Sequence, residues 1–184
     1  MKRIQVMPLG AVPPDQLAEL SNGLAREFRV ETEILPGEPD PGFAFNRTRQ
    51  QYHSTEILAA LVRKATPASR HLLGVTPVDL YIPILTFVFG EAQLQGNCAL
   101  VSTHRLRQEF YGLPGDRGVF RERLLKEAIH ELGHTLALAH CDNYECVMSA
   151  SHGVEWIDLK GWHFCAECQN AIDDRSQIRS ATGR

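Results

Sequence analysis

No apolar run among the 184 residues reaches the roughly 18 needed to cross a bilayer; the most apolar stretch, 78–90, is interrupted by Asp79, Tyr81 and Pro83. A membrane partner is therefore not expected. Basic charge is not in excess either: 19 Lys and Arg stand against 22 Asp and Glu, a formal net charge of −3 that gives nucleic acid no electrostatic footing. Internal repeats and low-complexity segments are lacking, and the balance of 43% hydrophobic to 22% charged residues excludes a disordered or fibrous chain. The start carries two basic residues and a short apolar stretch, but Gln5 and the prolines break it and no small-residue cleavage site follows. It reads as a first strand, and a cytoplasmic monomer is expected. In a reducing compartment cysteines are thiols or metal ligands more often than disulfides. The length suits one domain over 1–184 and is too short for two.

Strand and helix signals alternate along the first two thirds. A strand is expected over 3–9 and an amphipathic helix over 14–28, opened by Pro13, Pro14 and Asp15. Residues 30–35 alternate in character, 36–42 form a Pro- and Gly-rich loop, and Ser54 caps a helix over 55–64 closed by 66–69. One strand lies within 72–84, and 86–102 holds two more around a turn at Gly96 and Asn97. These signals predict an α/β layer structure whose sheet is mostly parallel with an antiparallel edge strand. Over 118–139 the period becomes helical, with Leu124, Leu125, Ala128, Ile129, Leu132 and Leu136 as the stripe. The remainder, 140–184, reads as an irregular cysteine-bearing part with a last helix over 166–179.

His130-Glu131-Leu132-Gly133-His134 sets two imidazoles one helical turn apart on one face, where both reach one ion. Glu131 lies about 100° around the helix, so its carboxylate approaches a metal-held water without taking a ligand position. His140 comes six residues after His134. A continuing helix would carry it about 9 Å further on, so the chain has to leave the helix and fold back for His140 to close the site. Three protein ligands and an open fourth position are what a catalytic zinc needs.

Cys141, Cys146, Cys165 and Cys168 follow at C-x4-C-x18-C-x2-C. Four thiolates so spaced fit a closed tetrahedral zinc site that serves folding. Two disulfides or four unrelated buried thiols are the alternatives, and His163 could stand in for one thiolate.

HELGHTLALAH with Met148 eight residues later resembles the metzincin clan, whose pattern is HExxHxxGxxH followed by a methionine turn. Ala137 stands where that pattern has glycine. The run from His130 to Cys141, then Cys146-Val147-Met148, then Cys165 and Cys168 narrows the resemblance to the archaemetzincins, with sixteen residues rather than seventeen before the last pair. The resemblance implies a compact metzincin-like mixed sheet, a catalytic zinc at His130, His134 and His140, and Glu131 as catalytic residue. It also implies a structural zinc at Cys141, Cys146, Cys165 and Cys168, and Met148 beneath the metal. By the same resemblance the strand around Ala99 to Ser102 pairs with an extended substrate, and residues after Met148 wall the specificity pocket. Alanine in a left-handed turn costs roughly 1–2 kcal/mol, so either the turn relaxes around Ala137 or the site distorts.

Phe164, Trp156 and Trp162 suit an apolar pocket or a core. Tyr111 and Tyr144 are candidate transition-state donors, though no spacing selects either. Cys98 reads as a buried strand thiol, and His53, His71, His104 and His152 as surface or loop histidines. The expected activity is zinc-dependent hydrolysis of a peptide or protein substrate with two zinc ions per chain, Glu131 moving the proton from water to the leaving amine. A rival of another class is a zinc-stabilised peptide-binding protein with little turnover, which Ala137 favours and Glu131 opposes. A zinc-ribbon nucleic-acid module would rest on the four cysteines alone.

Overall fold

Pro13 and Pro14 fix the φ of a first helical turn, and helix α1 (Pro14–Phe28) starts there directly after strand β1 (Arg3–Pro8). The computed structural model describes residues 3–38, 41–65 and 71–182, with side chains to Asp174. Further along come β2 (Glu31–Ile34), β3 (Phe45–Asn46), β4 (Gln51–His53), α2 (Ser54–Lys64), β5 (Leu72–Thr76), β6 (Leu80–Tyr81), β7 (Gly90–Ala92) and β8 (Cys98–Ser102). Helices α3 (Arg117–Thr135), α4 (Val154–Leu159) and α5 (Ala166–Thr182) complete the chain.

Five strands form the main sheet in the order β2-β1-β5-β8-β7. All neighbours are parallel except β7, which runs antiparallel to β8 and forms one edge. This is the mixed sheet that the alternation predicts. The period-2 pattern sorts side chains between the two faces. Ile4, Val6, Leu73, Val75, Ala99 and Val101 face α1 and α3, whereas Met7, Leu72, Cys98 and Leu100 face Ile57, Leu58 and Leu61 of α2. Helix α3 is capped by Asp116, whose carboxylate accepts from Val119 N at 3.0 Å. Ala128, Ile129 and Leu132 press it into the sheet. Every charged residue from Arg123 to Glu131 on α3 is buried, and the first three find partners of opposite charge, Arg123 gripping Asp158 through two bonds of 2.7 and 2.6 Å, Lys126 meeting Glu122 and Glu127 meeting the buried Lys160.

Four differences from the expected elements have physical reasons. The strand expected within 72–84 divides into β5 and β6, which join different sheets, because Pro77 has no N–H to continue the ladder. Ser54 does not cap α2; His53 takes that position, and the Ser54 hydroxyl lies between Tyr81 O and the Glu91 carboxylate instead, donating to the nearer carboxylate. The segment expected to close α2, 66–69, lies outside the described residues. Helix α3 stops at Thr135 rather than 139, since Ala137 adopts φ 72°. Helix α4 falls where irregular chain was expected, too short at six residues to show a period.

Candidate metal centres and cleft

His130 and His134 project from the last turns of α3, and the Met148 segment and the turn after the helix orient them. His130 Nδ1 lies 2.8 Å from Val147 O, and His134 Nδ1 lies 2.8 Å from Leu138 O. A carbonyl only accepts, so both rings carry their proton on Nδ1 and turn bare Nε2 lone pairs inward. Those two Nε2 atoms stand 3.2 Å apart. Tetrahedral coordination with zinc–nitrogen bonds near 2.0–2.1 Å puts ligand atoms about 3.3 Å apart, so the spacing suits a shared cation and would be repulsive without one. The His140 ring completes the set at 5.2 and 5.0 Å from the other two centroids, with ligand atoms of all three within 4.8 Å of one another. Burial holds the three imidazoles below the ordinary histidine range, helped at His130 by the Lys160 ammonium.

The chain reaches His140 through a complete Schellman turn: Ala137 N donates to His134 O at 2.9 Å and Leu138 N to Gly133 O at 3.1 Å. Ala137 occupies the left-handed position usually given to glycine. The turn neither relaxes nor spreads the histidines. Met148 is fully buried below them, and a Cβ at Gly133 would overlap its sulfur, so the glycine of His-Glu-Leu-Gly-His makes room for the thioether.

Glu131 is 6% exposed and lines an open cleft of about 760 Å³ with His130, His134 and His140. Burial, then the Glu127 carboxylate, raises its pKa well above the ordinary carboxylate range, and Lys160 opposes them. The opposite wall is Gly90, whose importance no local pattern announces. A Cβ there would stand 2.6 Å from Glu131 Cγ and Oε1 and 2.5 Å from Leu100 O.

The strand expected to meet substrate is not at the edge. Residues 99–102 belong to β8, which is paired on both sides, by β5 and by β7. The open edge beside the cleft is β7, with Gly90, Glu91 and Ala92 in its lining. Ala150, Ser151 and His152 line the other side, as expected of residues after Met148. The apolar part of the cleft is Leu85, Phe87, Val88, Phe89 and Leu94, not Phe164, Trp156 or Trp162. Backbone bonds Val147 N to His163 O and Gly161 N to Glu145 O turn that segment away, and Phe164 packs on Phe28. Neither Tyr111, bonded to Arg105 O, nor Tyr144 lines the cleft. His152 does, which a surface-loop reading alone left unmarked. His71 is a correction: it is 5% exposed, with Nδ1 2.9 Å from Thr135 Oγ1. Cys98 sits in the α2-side core, its thiol pushed up to about 11 by burial.

Cys141, Cys146, Cys165 and Cys168 bring their sulfurs within 4.8 Å of one another, none in a disulfide. Cys141 and Cys165 are 3.8 Å apart, the edge of a tetrahedron with zinc–sulfur bonds near 2.3 Å being about 3.8 Å. Cys165 N donates to Cys146 Sγ at 3.3 Å. His163 is not in the group; it pairs with Glu27. The peptide between His140 and Cys141 joins the two sets, and Cys141 N donates to Met148 O at 3.0 Å.

Residues 42–174 match the model of Peptidase family M54. An archaemetzincin of Methanocaldococcus jannaschii is 46% identical over 174 residues, 94% of each chain. Another, of Pyrococcus furiosus, is 41% identical, covering 94% of this chain and 93% of that one. The crystal structure of the Archaeoglobus fulgidus archaemetzincin, complexed with malonate, superposes with a TM-score of 0.80 at 38% identity, over 92% of this chain and 99% of that chain.

Proposed function

The chain belongs to peptidase family M54 and is a zinc metallopeptidase, and from that premise we propose that His130, His134 and His140 hold the catalytic ion while Glu131 is the general base. The observation that carries the reading is the 3.2 Å approach of two unprotonated Nε2 atoms beside a buried carboxylate in an open cleft. A zinc ion held by His130, His134 and His140 would supply Lewis acidity, polarising a scissile carbonyl and lowering the pKa of a water so that a hydroxide-like nucleophile is available near neutral pH. Glu131 accepts the proton of that water and delivers it to the leaving nitrogen, a role worth about 10²–10⁴ in rate. Its raised pKa suits it to hold the proton between those two transfers.

The substrate lies extended along β7, whose free main-chain groups at 90–92 supply affinity, and the apolar wall from Leu85 to Phe89 supplies choice. Cys141, Cys146, Cys165 and Cys168 hold a second, structural zinc. Five cysteines without a disulfide fit a cytoplasmic setting, and the protein acts as a monomer of one domain over 1–184. Ala137, the feature that favoured a binding protein without turnover, keeps the helix-ending turn intact.

Zinc per chain by elemental analysis, on wild type and His134→Ala after desalting, tests the ligand sets. Two ions falling to one is expected; equal zinc in both would refute the histidine site. Glu131→Ala should keep both ions and lose hydrolysis, and retained turnover in a contaminant-free preparation would remove Glu131 from the mechanism.

A further inference from the structure

Lys160, directly after α4, has a side chain only 1% exposed, an unusual place for an ammonium. Its Nζ lies 2.8 Å from Glu127 Oε1, 3.2 Å from Ser149 O and 3.4 Å from His130 Nδ1. It is not needed to dock α4 on α3, because Arg123 and Asp158 already share two bonds and Lys126 Nζ reaches Ile157 O at 3.0 Å. Nor does it hydrogen-bond His130, whose Nδ1 proton goes to Val147 O.

Glu127 is the residue that needs it. One helical turn before Glu131, it lines the cleft beside His130 and His134, and its side chain is 4% exposed. Oε1 is buried with no aligned hydrogen bond, so charge alone holds it at Lys160. A bare carboxylate in that position is itself a good ligand for a divalent cation and would compete for the coordination position that has to stay open.

We infer that Lys160 and Glu127 form a charge-neutral positioning pair, in which Lys160 holds Glu127 off the histidine set and pins the Ser149 carbonyl just before the cleft-lining residues 150–152. The inference rests on reading the three histidines as metal ligands. The pair acts on the metal site and not as a substrate contact, Lys160 being buried and Glu127 only 4% exposed at the cleft wall. Removing either partner disturbs the site in opposite senses. Without Lys160 the freed carboxylate joins the ion, and without the Glu127 charge a buried ammonium faces His130 and repels the ion. Removing both charges leaves the site close to its native state.

The test is a double-variant cycle on the full chain with Lys160→Met, Glu127→Gln and the pair together, read by metal affinity of the histidine set and by the visible spectrum after cobalt substitution. Metal retained by the cysteine set serves as internal standard. Glu127→Gln is expected to lower affinity about 10–100-fold. Lys160→Met should keep the metal, weaken the cobalt d–d bands as coordination number rises, and lower kcat about tenfold or more. The double variant should return to within about threefold of wild type in affinity and recover the spectrum. If Lys160→Met alone fails to fold and the double variant folds, the pairing is upheld, because only the unpaired carboxylate separates them. A double variant as impaired as the worse single one, unfolded, or additive in its losses overturns the inference. Wild type that binds no metal at the histidines overturns the ligand reading instead.

Discussion

Replacing Ala137 with glycine should stabilise the protein. Ala137 holds φ 72° at the helix end, with both Schellman bonds formed around it. For a residue with a Cβ this left-handed backbone costs roughly 1–2 kcal/mol, which glycine removes. Glycine also frees the unfolded chain, which takes back about 0.4–1 kcal/mol. The difference leaves a net gain of about 0.5–1 kcal/mol, or about 1–4 °C in Tm for a chain of this size. Thermal and urea unfolding of metal-free and zinc-loaded Ala137→Gly measure it directly. Zinc content should not change, because His134 keeps both bonds of the motif, its Nδ1 to the Leu138 carbonyl and its own carbonyl to Ala137 N. A Tm equal to or below wild type in both states would refute the reasoning, since it would mean that no strain is stored at this turn.

Gly90→Ala should cost about 10²-fold in kcat/KM with zinc retained: the new Cβ falls about 0.8 Å short of ordinary contact with Glu131, and displacements near 1 Å carry penalties of that size. Turnover within threefold of wild type on a fluorogenic peptide library would count against Gly90 as the back wall of Glu131. Cys168→Ser should release one zinc and open residues 142–164 to protease, because that segment has few ordered elements besides α4; unchanged zinc and unchanged cleavage would show that the sulfurs hold nothing. The histidines should hold metal at pH 6, where ordinary imidazoles with pKa near 6.5 are mostly protonated. Their pKa values lie lower, so protons displace the ion only further down the scale. Dialysis at graded pH that strips zinc between pH 7 and 6 would contradict this.

What could be read from the sequence divides by distance along the chain. The histidine set was legible because His130 and His134 are a helical turn apart and the helix that carries them has a clear stripe. The mostly parallel sheet with an antiparallel edge was legible from strand and helix signals that alternate over the first two thirds of the chain. Which strand bears the open edge was not, because a strand's own pattern does not name its neighbours, and β8 proved to be enclosed. Gly90 against Glu131 and Lys160 against Glu127 are long-range encounters between residues that each look ordinary locally; a lysine after a short helix reads as a surface charge. Strands of two or three residues, as in the β3-β4-β6 sheet, have no period to find. Ala137 ended its helix early because hydrogen bonds of the turn outweigh the preference of alanine for continuing it.

Strand β7 also bears on solubility. An unpaired strand edge ordinarily invites another protein's sheet to dock and propagate, and proteins shorten, charge or cover such edges. Here the edge is three residues long and has His130, His134, His140 and residues 150–152 across from it. A sheet brings its own neighbouring strand and the side chains of both faces, and a trench walled on two sides has no place for them. A single loose segment, such as a chain end or an unstructured loop, does fit. On the proposed reading, the same enclosure that keeps another sheet off this edge would sort substrates by foldedness before any side chain is read.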